Sequence, residues 1–177
     1  MGTDSVKLFN KALADQILAM EQASLVHFLE ENIETLKQKA FTISLIVFEM
    51  KENGGSVSEA VGNLLSSEQT FTNLRADVAQ DFGFSDDEIY LDYWGCYSHV
   101  FSGHPEGSIS SLDYLPNQVE ETFLLLRPEH VDEMTKSIHE HADDLSVMKA
   151  VDIEKLEEWR DRCAADPGYM VAYRFDF

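Results

Sequence analysis

The residues best suited to chemistry lie in one stretch of the sequence, from Ser85 to His104. If this stretch forms one helix, Asp92, Cys96 and His99 follow at i, i+4 and i+7 and share one side of it. A carboxylate, a thiol and an imidazole placed in this way suit a divalent metal ion. They also suit an activated thiol, in which the histidine accepts the cysteine proton and the aspartate orients the imidazole. His104 would supply a fourth group to the site that this pattern predicts.

The same stretch has a second interpretation, as a strand. It is rich in aromatic residues, which favour strands, and Gly95 in the middle of a helix would cost about 1 kcal/mol. On a strand that turns at Gly95, Cys96 and His99 point to opposite faces and the site is lost. Because a lone Cys-x-x-His spacing is not specific, the site is a secondary hypothesis. Its candidate catalytic residues are Cys96, His99 and Asp92, and its candidate metal ligands are Cys96, His99 and His104.

Local capping signals favour a helix at the start of this stretch. Ser85 and Glu88 have the spacing of a capping box, and Phe84 can pack on Ile89 as a hydrophobic staple. Whether Ser85–Phe101 is one helix or a strand and a turn therefore decides whether the candidate site exists.

A second group of titratable residues follows Pro128. Two of its histidines are only two positions apart, so on a helix they diverge. We interpret the group as a solvated acidic helix face rather than a metal site. Its members are His130, His139, Glu140, His141, Asp143 and Asp144.

The charge balance limits the partners. Thirteen Lys and Arg oppose 33 Asp and Glu, which gives a net charge of −20. Nucleic-acid binding depends on cations that displace counterions, and anionic membranes attract basic segments. We therefore predict no nucleic-acid and no membrane partner, and a basic protein as the favoured partner.

The common signatures of nucleotide-binding and hydrolytic enzymes are absent from the sequence. It contains no phosphate loop, dinucleotide fingerprint, GxSxG elbow or HExxH motif. Its two cysteines, Cys96 and Cys163, do not make a disulfide framework, and the chain shows no secretory signal. These features favour a non-enzymatic protein of the cytoplasm.

The N-terminal third is predicted to be helical. A first helix would begin at Asp4 or Ser5, and a seam of apolar residues at helical spacing runs from Leu25 to Met50. The two segments form one bent helix or two helices that break near Met20–Ser24. Within the seam, Phe41–Met50 has an alternative as a buried strand. Two copies of the chain could associate through this Leu25–Met50 seam.

Local signals also mark the later elements. Ser56 and Glu59 form a capping box, a helix covers Thr70–Phe82, and Ser102–Asn117 has the composition of a loop. Glu121–Arg127 is a candidate strand, or alternatively the end of a helix that begins at Pro116. Two helices follow, one opened by Pro128 and one capped by Asp152, and Tyr169–Phe175 alternates like a strand.

We therefore predict one acidic globular domain over residues 1–177, of α+β class and mainly α. It has a long N-terminal helical segment, several short helices and a small C-terminal sheet formed by a strand–helix–helix–strand unit. The predicted function is a non-enzymatic binding protein, inhibitor- or immunity-like towards a basic partner. The alternative is a metal-dependent or thiol enzyme that uses Cys96 and His99, with a divalent metal as its cofactor.

Overall fold

The protein has an α+β fold that is mainly helical. The structure, a computed structural model, describes residues 4–36, 38, 48–52, 54–65, 68–91, 101, 103–140 and 150–175. The chain divides into two compact units. The first contains the described residues up to Ala12 and from Phe84 onward, and the second contains Leu13–Gly83. The single-domain assignment stays a prediction.

The first unit is built on a five-stranded antiparallel sheet of order β2-β1-β5-β4-β3. β1 and β5 pair along their length, from Ser5 opposite Arg174 to Asn10 opposite Tyr169. The strands are β1 Asp4–Asn10, β2 Ile89–Leu91, β3 Ile109–Ser110, β4 Phe123–Leu126 and β5 Tyr169–Arg174.

The predicted helix start at Asp4 or Ser5 is wrong, because Asp4–Asn10 is a strand. Val6 and Leu8 enter the core on one face of the sheet, and Phe9 packs on the other face against Phe84. Pairing with β5 satisfies the backbone groups of this segment. Residues buried on both faces leave no alternation of polar and apolar types to mark a strand.

The predicted strand–helix–helix–strand unit is confirmed. β4 and β5 are antiparallel neighbours, and between them lie α7 Pro128–Glu140 and α8 Ala150–Ala165. Asp152 lies in the first turn of α8 rather than at its cap. The buried residues of both helices pack on one face of the sheet with Leu124, Leu126, Val171 and Tyr173. They are Val131, Met134, Ile138, Leu156, Trp159 and Cys163.

The predicted loop Ser102–Asn117 contains regular structure. β3 pairs with β4, and α6 Ser111–Tyr114 follows it directly. Ser111 is fully buried, and its hydroxyl accepts hydrogen bonds from the amides of Thr122 (2.9 Å) and Phe123 (3.3 Å). These long-range bonds order a segment whose composition alone indicates a turn.

The second unit consists of helices. α1 Lys11–Leu18 starts at the boundary between the units, and α2 Gln22–Glu31, α3 Ile33–Leu36, α4 Val57–Leu64 and α5 Glu68–Gly83 follow. Residues 48–52 are also helical. The predicted break near Met20–Ser24, the Ser56–Glu59 capping box and the helix over Thr70–Phe82 are all confirmed.

The apolar seam is partly described. Leu25, Leu29 and Leu36 have no exposed surface, so at these positions the seam packs within its own chain. Residues 39–47 lie outside the described residues, and so do the helix and strand alternatives for residues 41–47. Self-association through the Leu25–Met50 seam stays a prediction. Of the helices described, none combines the length and the apolar character needed to cross a bilayer.

Candidate functional site

The predicted chemical site falls mostly outside the described residues, which exclude Asp92, Cys96 and His99. The start of its stretch is not a helix, because Ile89–Leu91 is a strand that pairs with β1. The predicted capping box is therefore wrong. The Ser85 hydroxyl instead accepts a hydrogen bond from the Leu8 amide (3.1 Å) and donates one to the Asp87 carbonyl (2.8 Å). The metal or thiol site stays a prediction.

His104, the fourth candidate, lies within the described residues. Its Nε2 is 2.9 Å from a carboxylate oxygen of Glu121, and the side chain is about half exposed. Across the part of the chain that the structure describes, no three His, Cys, Asp or Glu residues come together as a metal site would require.

The histidine group after Pro128 divides between core and surface. His139 is exposed, as predicted, and His141, Asp143 and Asp144 lie outside the described residues. His130 corrects the prediction of a solvated face, because it is only 5% exposed. Its Nδ1 accepts a hydrogen bond from the Arg127 amide (3.0 Å), and its Nε2 lies 2.9 Å from the Glu106 carbonyl. His130 thus fastens the loop before β3 to the start of α7.

The outer faces of α7 and α8 carry the densest described array of carboxylates in the first unit. Their apolar faces are fixed on the sheet, so the residues at helical spacing opposite the core face outward. We call these eight outward carboxylates the acidic layer: Glu129, Asp132, Glu133, Glu140, Glu154, Glu157, Glu158 and Asp161.

Of the four Lys and Arg residues on these two helices, three form ion pairs, and Arg162 contacts Tyr169 instead. Arg160 joins the helices by a 2.8 Å contact with Asp132 and also contacts Asp161 at 3.0 Å. The hydrogen bonds that Arg160 donates to Asp132 and Asp161 raise the pKa of Arg160, so it remains a cation. Lys136 pairs with Glu140, and Lys155 pairs with Asp87.

Five carboxylates of the acidic layer remain without an ion-pair partner among the described residues. They are Glu129, Glu133, Glu154, Glu157 and Glu158. Sequence analysis places Glu140 on a solvated helix face but does not predict that the outward carboxylates of two helices form one surface. The available signal was the recurrence of acids at steps of three and four on the side of each predicted helix opposite its apolar residues.

A different kind of carboxylate lies across β1, β2 and β5. Glu88 accepts hydrogen bonds from the Ser5 hydroxyl (2.5 Å) and Arg174 (2.7 Å), and the Lys7 ammonium is 3.8 Å away. Burial raises the pKa of Glu88, but the hydrogen bonds from Ser5 and Tyr90 and the two cations outweigh burial, so its pKa is lowered. Glu88 stabilises the sheet and remains ionised.

Cys163 is the described cysteine, and it is a free, buried thiol. Burial raises its pKa to about 11; Arg162 opposes this shift and Asp166 adds to it. A thiol with so high a pKa is protonated at neutral pH, and it is therefore a poor nucleophile.

Comparisons with protein-family models, with curated proteins and with solved structures found no match to this chain.

Proposed function

We propose that this chain is a non-enzymatic binding protein for a basic protein, with an inhibitor- or immunity-like role. The observation that carries the proposal is the acidic layer, in which five outward carboxylates have no ion-pair partner among the described residues. A basic surface would supply the missing counter-charges.

The acidic layer is suited to the recognition of a partner because its carboxylates lie on two regular helices. α7 has 13 residues and α8 has 16, so at 1.5 Å per residue they extend about 20 and 24 Å. The Arg160–Asp132 contact fixes one helix against the other. Helices held in place before binding lose little backbone conformational entropy when a partner docks.

The proposed mechanism is competition for cations. Lys and Arg side chains that a basic protein would present to a polyanion would instead contact these carboxylates, so the bound protein could not engage its polyanion. Long-range attraction between the two surfaces would also speed their association. We place this role in the cytoplasm, where reducing conditions would keep Cys163 a free thiol.

The test neutralises the layer without changing its shape. The variant carries Glu129→Gln, Glu133→Gln, Glu154→Gln and Glu158→Gln. Its affinity for an arginine- and lysine-rich peptide is measured by fluorescence anisotropy at low ionic strength. Four exposed charge contacts at about 0.4 kcal/mol each sum to about 1.6 kcal/mol, so we expect at least about a tenfold weaker Kd.

A matched variant separates the layer from the net charge. Glu21→Gln, Glu30→Gln, Glu52→Gln and Glu68→Gln remove the same four charges from exposed positions of the second unit. We expect this variant to bind the peptide within about threefold of the unmodified protein. Equal losses in both variants would contradict the proposal, because the peptide would then respond to total charge alone.

A further inference from the structure

A cavity of about 380 Å³ lies in the first unit, at the end of the sheet where β1 and β4 end and β5 begins. Its volume falls within the range of small-molecule sites. Lys11, Arg127, Tyr169 and Met170 contribute to its walls. We call it the cationic cavity.

The charge of this lining is opposite to that of the chain. Among the described residues that line the cavity are two cations, Lys11 and Arg127, and no acid, although the chain as a whole has a net charge of −20. Two helices also begin at lining residues, α1 at Lys11 and α7 at Pro128. The partial positive charge at a helix N-terminus adds to that of the side chains.

The backbone of Arg127 is held in a defined position, and its exposed side chain borders the cavity. Its guanidinium packs on Gly107, where an added Cβ would lie 3.3 Å from the guanidinium carbon. Gly107 has a φ of +84°, which favours glycine, and the neighbouring Glu106 carbonyl is bound by the buried His130. The same histidine accepts the Arg127 amide hydrogen. These contacts fix the backbone from which Arg127 extends, and its planar guanidinium can bind a carboxylate through two hydrogen bonds.

The remaining walls are apolar and ordered. Tyr169 is fixed by Arg162, which lies 4.3 Å from the ring centroid and donates to the phenol oxygen (3.1 Å). Ile109, Met170 and the buried Cys163 complete this side. Asp166 is a nearby acid, and it already accepts a hydrogen bond from the Gly168 amide (2.8 Å). The site therefore combines one charged end with an apolar body.

We propose that the cationic cavity binds a small organic carboxylate, with the carboxylate between Lys11 and Arg127 and the apolar body against Ile109, Tyr169 and Met170. The planar guanidinium suits a carboxylate, and the apolar walls require a ligand that is more than an inorganic anion. This site is independent of the acidic layer and of the function proposed for it.

The probes are hexanoate, hexan-1-ol and inorganic phosphate, added to the full chain and followed by two-dimensional amide NMR. We expect hexanoate to bind with a Kd of about 1 mM, near the ligand efficiency of small molecules, and to shift the amides of Ile109, Tyr169 and Met170. Hexan-1-ol lacks the charge and phosphate lacks the apolar body, so each is expected to bind at least tenfold more weakly. Equal binding of either control would overturn the proposal.

Variants localise the binding. Arg127→Gln and Lys11→Gln are each expected to weaken hexanoate binding about tenfold, whereas Lys136→Gln, which removes a cation from the exposed face of α7, changes it less than twofold. Ile109→Trp fills the cavity without changing any charge, and we expect it to abolish binding. Because this last variant leaves both cations in place, it tests the site even if a charge variant fails to fold. Undiminished binding in Ile109→Trp would exclude the cavity as the site.

Discussion

The acidic layer and the cationic cavity belong to the same unit of the chain and have opposite charge. The layer consists of outward carboxylates on two helices whose apolar faces are packed on the sheet. The cavity places Lys11 and Arg127 among apolar side chains at one end of that sheet. A net charge of −20 therefore describes the chain as a whole but not each of its local surfaces.

The two regions also differ in how solvent acts on their charges. Water and salt screen the exposed carboxylates of the layer, so each contributes little by itself and several must act together. Charges in a partly enclosed site are screened less. The layer is therefore suited to steering a large partner, and the cavity to holding one small ligand.

The largest expected contrast concerns thiol reactivity. Cys163 faces the cavity, and burial raises its pKa to about 11 from an ordinary 9.0. The substitution Cys96→Ser leaves Cys163 as the single thiol for labelling. At pH 8 its thiolate fraction is thus about 100-fold lower than that of an ordinary thiol, and alkylation is slowed at least as much. The rate of iodoacetamide labelling, followed by mass spectrometry, should rise about tenfold per pH unit up to about pH 11.

The matched control places a thiol in the acidic layer. Glu158→Cys, made with Cys96→Ser and Cys163→Ala, presents an exposed cysteine on the same helix. We expect it to be alkylated within about tenfold of free cysteine. If Cys163 reacts as fast as this control, the cavity is not enclosed and the contrast between the two regions fails.

A smaller contrast concerns two carboxylates with different surroundings. Glu88 contacts Ser5, Arg174 and Lys7, whereas Glu158 is exposed. We expect Glu88→Gln to lower the free energy of unfolding by about 2 kcal/mol, since hydrogen bonds to a charged group are lost. Glu158→Gln should change it by less than about 0.5 kcal/mol. Urea unfolding at neutral pH measures both.

The pH dependence of the Glu88 effect has a defined sign. Its pKa in the folded protein is lowered below the ordinary value of 4.5. The stabilisation is therefore complete above that value and is lost as the pH falls through the folded pKa. The difference between the unmodified protein and Glu88→Gln should shrink below about pH 4.5. A difference that stays constant down to pH 3 would show that the ionised carboxylate is not what stabilises the sheet.

The parts of the fold that the sequence predicts are those fixed by local patterns. The alternation of Tyr169–Arg174 marks β5, and three-to-four spacing marks α7, α8 and the apolar seam. The sequence does not predict β1, because Phe9 is followed by apolar residues at helical spacing and the strand partner β5 lies at the other end of the chain. Pairing between distant segments leaves no local signal.

The candidate sites depend even more on distant contacts. The sequence shows the carboxylates of the acidic layer, but they form one surface only because α7 packs beside α8. The Arg160–Asp132 contact joins these two helices. Glu88 accepts a hydrogen bond from Ser5, which lies 83 positions away in the sequence. Lys11 and Arg127 enter one cavity only because β1 and β4 both flank β5. No spacing rule brings such residues together.

The smallest expected contrast is the response to salt. Raising sodium chloride from about 50 to about 500 mM shortens the Debye length from about 14 to about 4 Å. Binding of the basic peptide to the acidic layer should weaken by about tenfold, because it depends on several exposed charges. Hexanoate binding in the cationic cavity should weaken by less than about threefold, because its charges meet at contact distance and apolar burial contributes the rest. Titrations at both salt concentrations on the same protein measure the two responses side by side. A cavity ligand as sensitive to salt as the peptide would mean that Lys11 and Arg127 act as solvated surface charges.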